Sequence, residues 1–266
     1  MLLGALALPV VAQQQPLWEF GLGVGGLTLP DYRGSDERTN YVFPLPYFIY
    51  RGERLRVDRE GAQGFLYKSP RVEFDVSLSA GNPADSDDNE AREGMDDLHP
   101  TVEAGPRLTI NLFGNAKSKY RLQFQLPVRA VTEIDGSNLN HIGWTTNPLL
   151  NLDIRDVAGG WDMGMQVGPV YGSSEYHEYY YSVAPRQARA GRPAYDAGGG
   201  YSGTQFSVGA SRRMGQWWMG TFVRYYDLHG ASFDDSPLVK QKDAFMAGFG
   251  FAYVFARSST MVDAER

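Results

Sequence analysis

The sequence predicts an all-β protein: an antiparallel transmembrane β-barrel of about twelve strands, with long extracellular loops and short periplasmic turns. Three observations predict it. First, residues 71–80 alternate without exception. Val72, Phe74, Val76, Leu78 and Ala80 fall on one face, and Arg71, Glu73, Asp75, Ser77 and Ser79 on the other. A period of two belongs to a strand, whose successive side chains point to opposite faces. Second, the 266 residues contain no apolar run near the roughly twenty that a spanning helix needs. Mean hydropathy is -0.37, while aromatics reach 13% and glycines number 31. Half-polar strands with aromatic girdles have such a composition. Third, long and short connections alternate along the chain, which a soluble sandwich has no reason to do. Cysteine is absent, so neither a disulfide framework nor a thiolate metal site exists. A net charge of -6 argues against nucleic acid as a partner.

Residues 1–12, MLLGALALPVVA, read as the apolar region and cleavage site of a secretory signal peptide. The first basic residue is Arg33, so this peptide is expected to be truncated at its N-terminus, with residues 13–266 forming one barrel domain. Residues 17–28 are the first strand, with Trp18, Phe20, Leu22 and Val24 opposite Glu19, Gly21, Gly23 and Gly25. Gly21, Gly23 and Gly26 also spell G-x-G-x-x-G. They lie inside a strand and lead to Pro30 rather than a helix, so small lumen-facing residues explain them better than a dinucleotide site. Residues 30–41 read as a polar loop. Residues 42–50 form a second strand, made irregular or locally unpaired by Pro44 and Pro46. After a turn at 51–53, residues 54–59 and 63–68 read as two short strands around 60–62, and Ser69-Pro70 leads into 71–80.

Residues 81–97 form a long acidic loop. Strands at 101–112 and 120–130 follow, with Val102, Leu108 and Ile110, then Leu122, Phe124 and Leu126, on their apolar faces. Residues 132–142 read as a loop, 147–155 as the eighth strand and 161–171 as the ninth. The longest interruption, 172–198, holds a short helix around 175–181. Strands at 199–213, 217–228 and 244–255 complete the set, with a loop at 229–243. If the first strand starts in the periplasm, the connections 30–41, 60–62, 81–97, 132–142, 172–198 and 229–243 are extracellular. All but 60–62 are long, and the others are tight turns such as 51–53 and 214–216.

Few residues suggest chemistry. Asp85, Asp87, Asn89 and Asp96 stand at positions one, three, five and twelve of an EF-hand-like loop, but Glu90 occupies the place of the turn glycine. A weak divalent site competes there with a solvated acidic loop. His99, His141, His177 and His229 have no zinc spacing. His229 and Ser232 are near in sequence, without a G-x-S-x-G elbow. No catalytic set and no cofactor loop emerges, so the chain is not expected to be an enzyme. Arg71, Arg107, Arg121, Arg129 and Arg155 face Glu73, Asp75, Glu103, Asp153 and Asp162 across neighbouring strands. They either pair and plug a narrow lumen or line a pore selecting small solutes.

Several short segments carry one further signal. They are Pro30-Asp31-Tyr32-Arg33-Gly34-Ser35, Pro44-Leu45-Pro46-Tyr47, Asp85 to Asp88 with Met95-Asp96-Asp97, and Tyr180-Tyr181-Ser182-Val183 with Gln187-Ala188. Further ones are Tyr195 with Gly198-Gly199-Gly200, Asp235-Ser236-Pro237-Leu238-Val239, and the closing Tyr253-Val254-Phe255. Together these segments resemble the MipA/OmpV family of Gram-negative outer-membrane proteins, and the resemblance implies an outer-membrane barrel in contact with lipid. It also implies a structural or scaffolding role, like that of the family's namesake between a murein lytic transglycosylase and a murein synthase. A small-solute channel is the alternative, and a lipid-modifying barrel enzyme a remoter one. A periplasmic partner would dock on several short turns together. The largest such patch is 113–119, with Asn115, Lys117 and Lys119 as the partner-binding candidates. Eleven residues follow Phe255, and this tail is expected to be dispensable for closing the barrel.

Overall fold

A computed structural model of the protein describes residues 14–58, 61–115 and 118–263; the expected signal peptide lies outside them. In chain order the strands are β1 (Gln14–Pro16), β2 (Trp18–Pro30), β3 (Arg38–Arg51), β4 (Leu55–Asp58), β5 (Gly61–Lys68), β6 (Val72–Gly81), β7 (Thr101–Phe113) and β8 (Tyr120–Asp135). Then come β9 (Asn138–Thr146), β10 (Leu149–Val157), β11 (Trp161–Gly172), helix α1 (Ser174–Tyr181), β12 (Gly200–Met214), β13 (Trp217–Asp227), β14 (Asp243–Arg257) and β15 (Met261–Asp263). From β2 to β14, neighbours in sequence pair antiparallel except β9 and β10; β14 closes onto β2, and β10 returns to β8. β9 and β10 run along successive parts of β8, so they share one position, and the thirteen-stranded sheet is a closed barrel of twelve.

The alternation in the sequence becomes two faces. On β6, Phe74, Val76 and Leu78 are exposed outward, whereas Asp75 and Ser77 are buried in the lumen. Lipid takes the apolar face, and pairing between neighbouring strands satisfies most of the backbone. Outward aromatics gather near the short turns. Trp217 stacks on Phe251 with ring centroids 4.9 Å apart, and Phe20 meets Phe255 edge-on at 5.4 Å. Such rings suit the membrane interface.

The structure corrects three boundaries. The expected loop at 132–142 is a tight hairpin, in which Asp135 pairs with Asn138 and only residues 136–137 turn. Gly136 takes φ 58°, as the first central residue of a II′ turn requires. β3 starts at Arg38, so the expected loop at 30–41 shrinks to 31–37; it pairs with β2 along its whole length, Pro44 opposite Val24 and Pro46 opposite Leu22, and the unpaired stretch expected at the prolines lies on its other side, towards β4. A proline ring is tolerated because its missing donor faces the other side of the strand. The tail, finally, is not free. Ala256 and Arg257 belong to the closing strand opposite Phe20 and Glu19, and β15 forms a small ribbon with β1. The short helix expected around 175–181 is present as α1, capped by Ser173, whose side chain accepts from the Tyr176 N–H.

Candidate functional site

Three places hold the polar and reactive groups: the lumen, a cap above it and the periplasmic rim. In the lumen, Asp75 on β6 and Arg107 on β7 are directly opposite, and the guanidinium reaches both carboxylate oxygens at 3.2–3.3 Å. Arg121 on β8 binds Asp153 on β10 at 2.7 Å. Arg129 donates to the Ser77 hydroxyl at 3.0 Å and stands 3.9 Å from Glu103. Three of the five expected arginines thus meet three of the five expected carboxylates. Arg71 lies exposed, beyond the end of β6. Alternation alone did not reveal the cluster at the periplasmic mouth. There Glu19 on β2 accepts from Arg51 and from Arg213 of β12, both at 2.7 Å, with the Tyr47 hydroxyl 3.3 Å from Arg213. Arg213 spans β13 and β14 to reach it, so the contact narrows that mouth.

The other wall of the lumen is apolar. Tyr47 and Ile49 of β3 pack with Ala252 and Val254 of β14 and with Trp218 of β13. Aromatic rings lie flat over glycines here. A Cβ at Gly25 would meet the Phe43 ring at 2.7 Å, and one at Gly250 would meet Leu45 at 2.8 Å and the Trp218 indole at 3.0 Å. Only residues without a side chain leave room for those rings.

Above the barrel, four loops at 31–37, 82–100, 173–199 and 228–242 fold into a cap with its own core. Tyr32, Leu98, Tyr181, Val183, Phe233 and Leu238 are all buried in it. Tyr181 stacks on Phe233, centroids 3.6 Å apart, and donates its hydroxyl to the Arg33 carbonyl at 2.9 Å. Burial pushes its phenol up, so it remains a protonated donor. Tyr32 donates to the Leu238 carbonyl at 2.7 Å. Arg192 ties two loops together, giving hydrogen bonds to the carbonyls of Ala91, Glu93 and Gln187. Arg33 points down from the cap, donating to the Tyr176 hydroxyl at 3.0 Å and lying 5.3 Å from the centre of the Tyr226 ring. Most segments that carried the family resemblance meet in this cap.

The cap also brings a histidine against two serines. It is His177, not His229, that meets Ser232. Its Nδ1 lies 2.7 Å from the Gly198 carbonyl, which fixes that nitrogen as a donor. Ser232 Oγ, 3.1 Å from Nδ1, donates to the same carbonyl at 3.0 Å. Nε2 is left to accept from Ser202 Oγ at 2.6 Å. A general base must offer its lone pair to a hydroxyl that substrate can reach. Ser202 is fully buried, and Ser232 faces the nitrogen that carries the proton. The group therefore acts as a brace. Burial holds the His177 pKa below its ordinary value, opposed by the Gly198 bond and helped by the Arg33 charge.

The EF-hand-like residues do not converge. Asn89 is fully buried and turns its amide to Asp31 at 2.9 Å and Ser35 at 3.0 Å. Asp85 accepts from the Asp87 N–H at 3.0 Å, and Asp96 faces Arg186 at 3.8 Å. Among the described residues no three acidic or histidine side chains form a metal-holding group. At the rim, Asn115 accepts from the Ser118 N–H and hydroxyl at 3.1 and 3.2 Å. Lys119 sits 5.9 Å from the Tyr120 ring centre. Lys117 lies outside the described residues. Beside this turn a groove of about 530 Å³ runs along Pro70, Arg71 and residues 110–114.

A protein-family model described as MltA-interacting protein MipA matches residues 22–255. Outer membrane protein Omp26La of Vibrio anguillarum is 27% identical over 213 residues, covering 78% of this chain and 76% of the relative. Outer membrane protein OmpV of Vibrio cholerae is also 27% identical over 213 residues, with the same coverage. Among solved structures, an outer membrane channel from Pseudomonas putida F1 aligns with a TM-score of 0.43 at 11% identity, covering 93% of this chain and 99% of that one. OmpT of Vibrio cholerae, folded in vitro, aligns at 0.36 and 8% identity, over 92% and 100%.

Proposed function

Because the chain belongs to the MipA family of outer-membrane proteins, we propose that it anchors a murein hydrolase or synthase to the inner face of the outer membrane, through its periplasmic rim. The observation that carries this reading is the cap. Four loops pack into a buried core over the lumen, and paired charges fill much of the wall below. A barrel closed in this way offers its surroundings a rigid frame rather than a passage. The family's description names an interacting protein, which agrees with a docking role.

The docking surface is assembled from several turns. A specific contact usually buries about 800 Å² on each partner, more than one hairpin turn offers. Residues 114, 115, 118 and 119, the adjoining groove along 110–114 and the β1–β15 ribbon lie at the same end of the barrel and together provide a broader platform. Asn115 and Lys119 stand on it, and Lys117 belongs to the same segment. Protein solubilised in detergent is expected to capture a murein lytic transglycosylase or a murein synthase from an envelope extract. Replacing residues 115–119 with a glycine-rich turn should weaken that capture. Empty captures together with steady ion-selective conductance would favour the small-solute channel instead.

A further inference from the structure

The ring of strands is closed, but its wall is low on one side. β3 pairs with β2 along its length, and among the described residues it pairs with β4 at Tyr50 and Arg51. β4 ends at Asp58 and β5 begins at Gly61. On the far side, the described pairs of β5 with β6 reach up to Ser77. Above these, among the described residues, β3 and β6 do not pair, and residues 42–46 border a gap. At about 3.4 Å per residue this border is roughly 14 Å long. Its outward residues Val42, Pro44 and Pro46 are apolar, with Val42 80% exposed, which places it at hydrocarbon depth.

The chemistry of that edge indicates what it admits. The Arg51 N–H donates to the Leu17 carbonyl, so odd-numbered residues of β3 direct their backbone groups to β2. In an antiparallel strand the even-numbered ones then face the gap. Along the gap those residues are Val42, Pro44 and Pro46. The two prolines remove donors from the middle of the edge, which disfavours an added strand from a second chain. A ligand without strand geometry fits better. Behind the gap lies the apolar lumen wall of Phe43, Leu45, Trp218 and Phe222, whose rings lie over glycines. There the Trp218 Nε1 is buried without a hydrogen-bond partner, a donor free for an oxygen on a ligand. Above the gap, Asp31, Glu37, Thr39, Tyr41, Asp85 and Asp88 line a polar groove of about 440 Å³.

We propose that the gap between β3 and β6 is a lateral window, through which the hydrocarbon chain of a membrane amphiphile enters the lumen and lies against Phe43, Leu45, Trp218 and Phe222. This site is separate from the rim and does not depend on a docked enzyme.

The test uses the full mature chain with Trp18, Trp144, Trp161 and Trp217 changed to Phe, leaving Trp218 as the reporter. It is reconstituted in vesicles of phosphatidylcholine with dibrominated chains and in unbrominated vesicles. Bromine quenches indole only at short range. The Trp218 emission is expected to fall at least about twofold in the brominated vesicles, and Leu45→Glu, which puts a charge in the window, should restore it. A companion chain keeping only Trp144, which is half exposed to lipid, is quenched in either case. Equal Trp218 emission in both vesicles, with Trp144 quenched, would overturn the proposal. If the four substitutions prevent folding, the difference in emission between the wild type and Trp218→Phe gives the same readout with the same two outcomes.

Discussion

The wall from β6 to β12 and the wall from β13 through β14 and β2 to β3 belong to one sheet but meet the lumen differently. The first is held by charge. Asp75 and Arg107, Arg121 and Asp153, and Glu103 and Arg129 sit on neighbouring strands with their polar ends buried. The second is held by shape, with Trp218, Phe43 and Leu45 laid over Gly25 and Gly250. Outside, both walls are equally apolar, because lipid asks the same of every strand. A barrel can therefore divide its interior into two chemistries while its outer surface stays uniform. A paired charge tolerates no lost partner, whereas a ring on a glycine tolerates no added side chain.

The largest effect should come from breaking a pair on the charged wall. Asp75→Ala leaves the Arg107 guanidinium buried without its carboxylate and should destabilise by about 3–5 kcal/mol. Denaturant unfolding in vesicles would measure it, and Asp75→Ala combined with Arg107→Met should recover most of the loss. The outer faces should not distinguish the walls. Val76→Arg on β6 and Phe249→Arg on β14 should each cost about 2–4 kcal/mol near the bilayer midplane. Clearly unequal costs would show that one wall does not face lipid. On the apolar wall, Gly250→Val must displace the Trp218 indole and Leu45, costing about 1–3 kcal/mol, the usual range for overpacking. A shift in Trp218 emission should accompany it.

The smallest effect concerns the cap over both walls. His177 has a lower pKa in the folded cap than in an open one, where it titrates near 6.5. The open cap therefore binds the proton better, and the stability contributed by neutral His177 is fully present above about pH 6.5. It is lost as pH falls from there through the lower folded value. Proteolysis within residues 173–199 should accelerate in mild acid, and His177→Gln should remove that pH dependence. An unchanged dependence in His177→Gln would assign it to another group.

Most of the wall was legible in the sequence because lipid enforces a period of two. The strict alternation at 71–80 and at 244–255 fixes faces as well as strands. The errors fell where other rules applied. Gly136-Ser137 is a hairpin signal hidden within a polar stretch, and the unpaired stretch expected at Pro44 and Pro46 is confined to one edge of a strand that pairs fully on its other side. The cap was not legible. Tyr32, Tyr181, Phe233 and Leu238 are scattered among polar loop residues with no period, and only the fold brings them together. The same holds for His177 and its two serines, which lie 25 and 55 residues away along the chain. The residues of the family resemblance were the one trace of the cap in the sequence, since most of those segments meet there.

The claim that the cap shuts the lumen to ions, so that the rim and not a pore carries the function, is tested most directly by conductance in planar bilayers. Refolded wild-type protein should show no steady ionic current. Deleting residues 175–197, which removes α1 and its buried tyrosines from the cap, should open one. Steady, ion-selective conductance in the wild type would contradict the account.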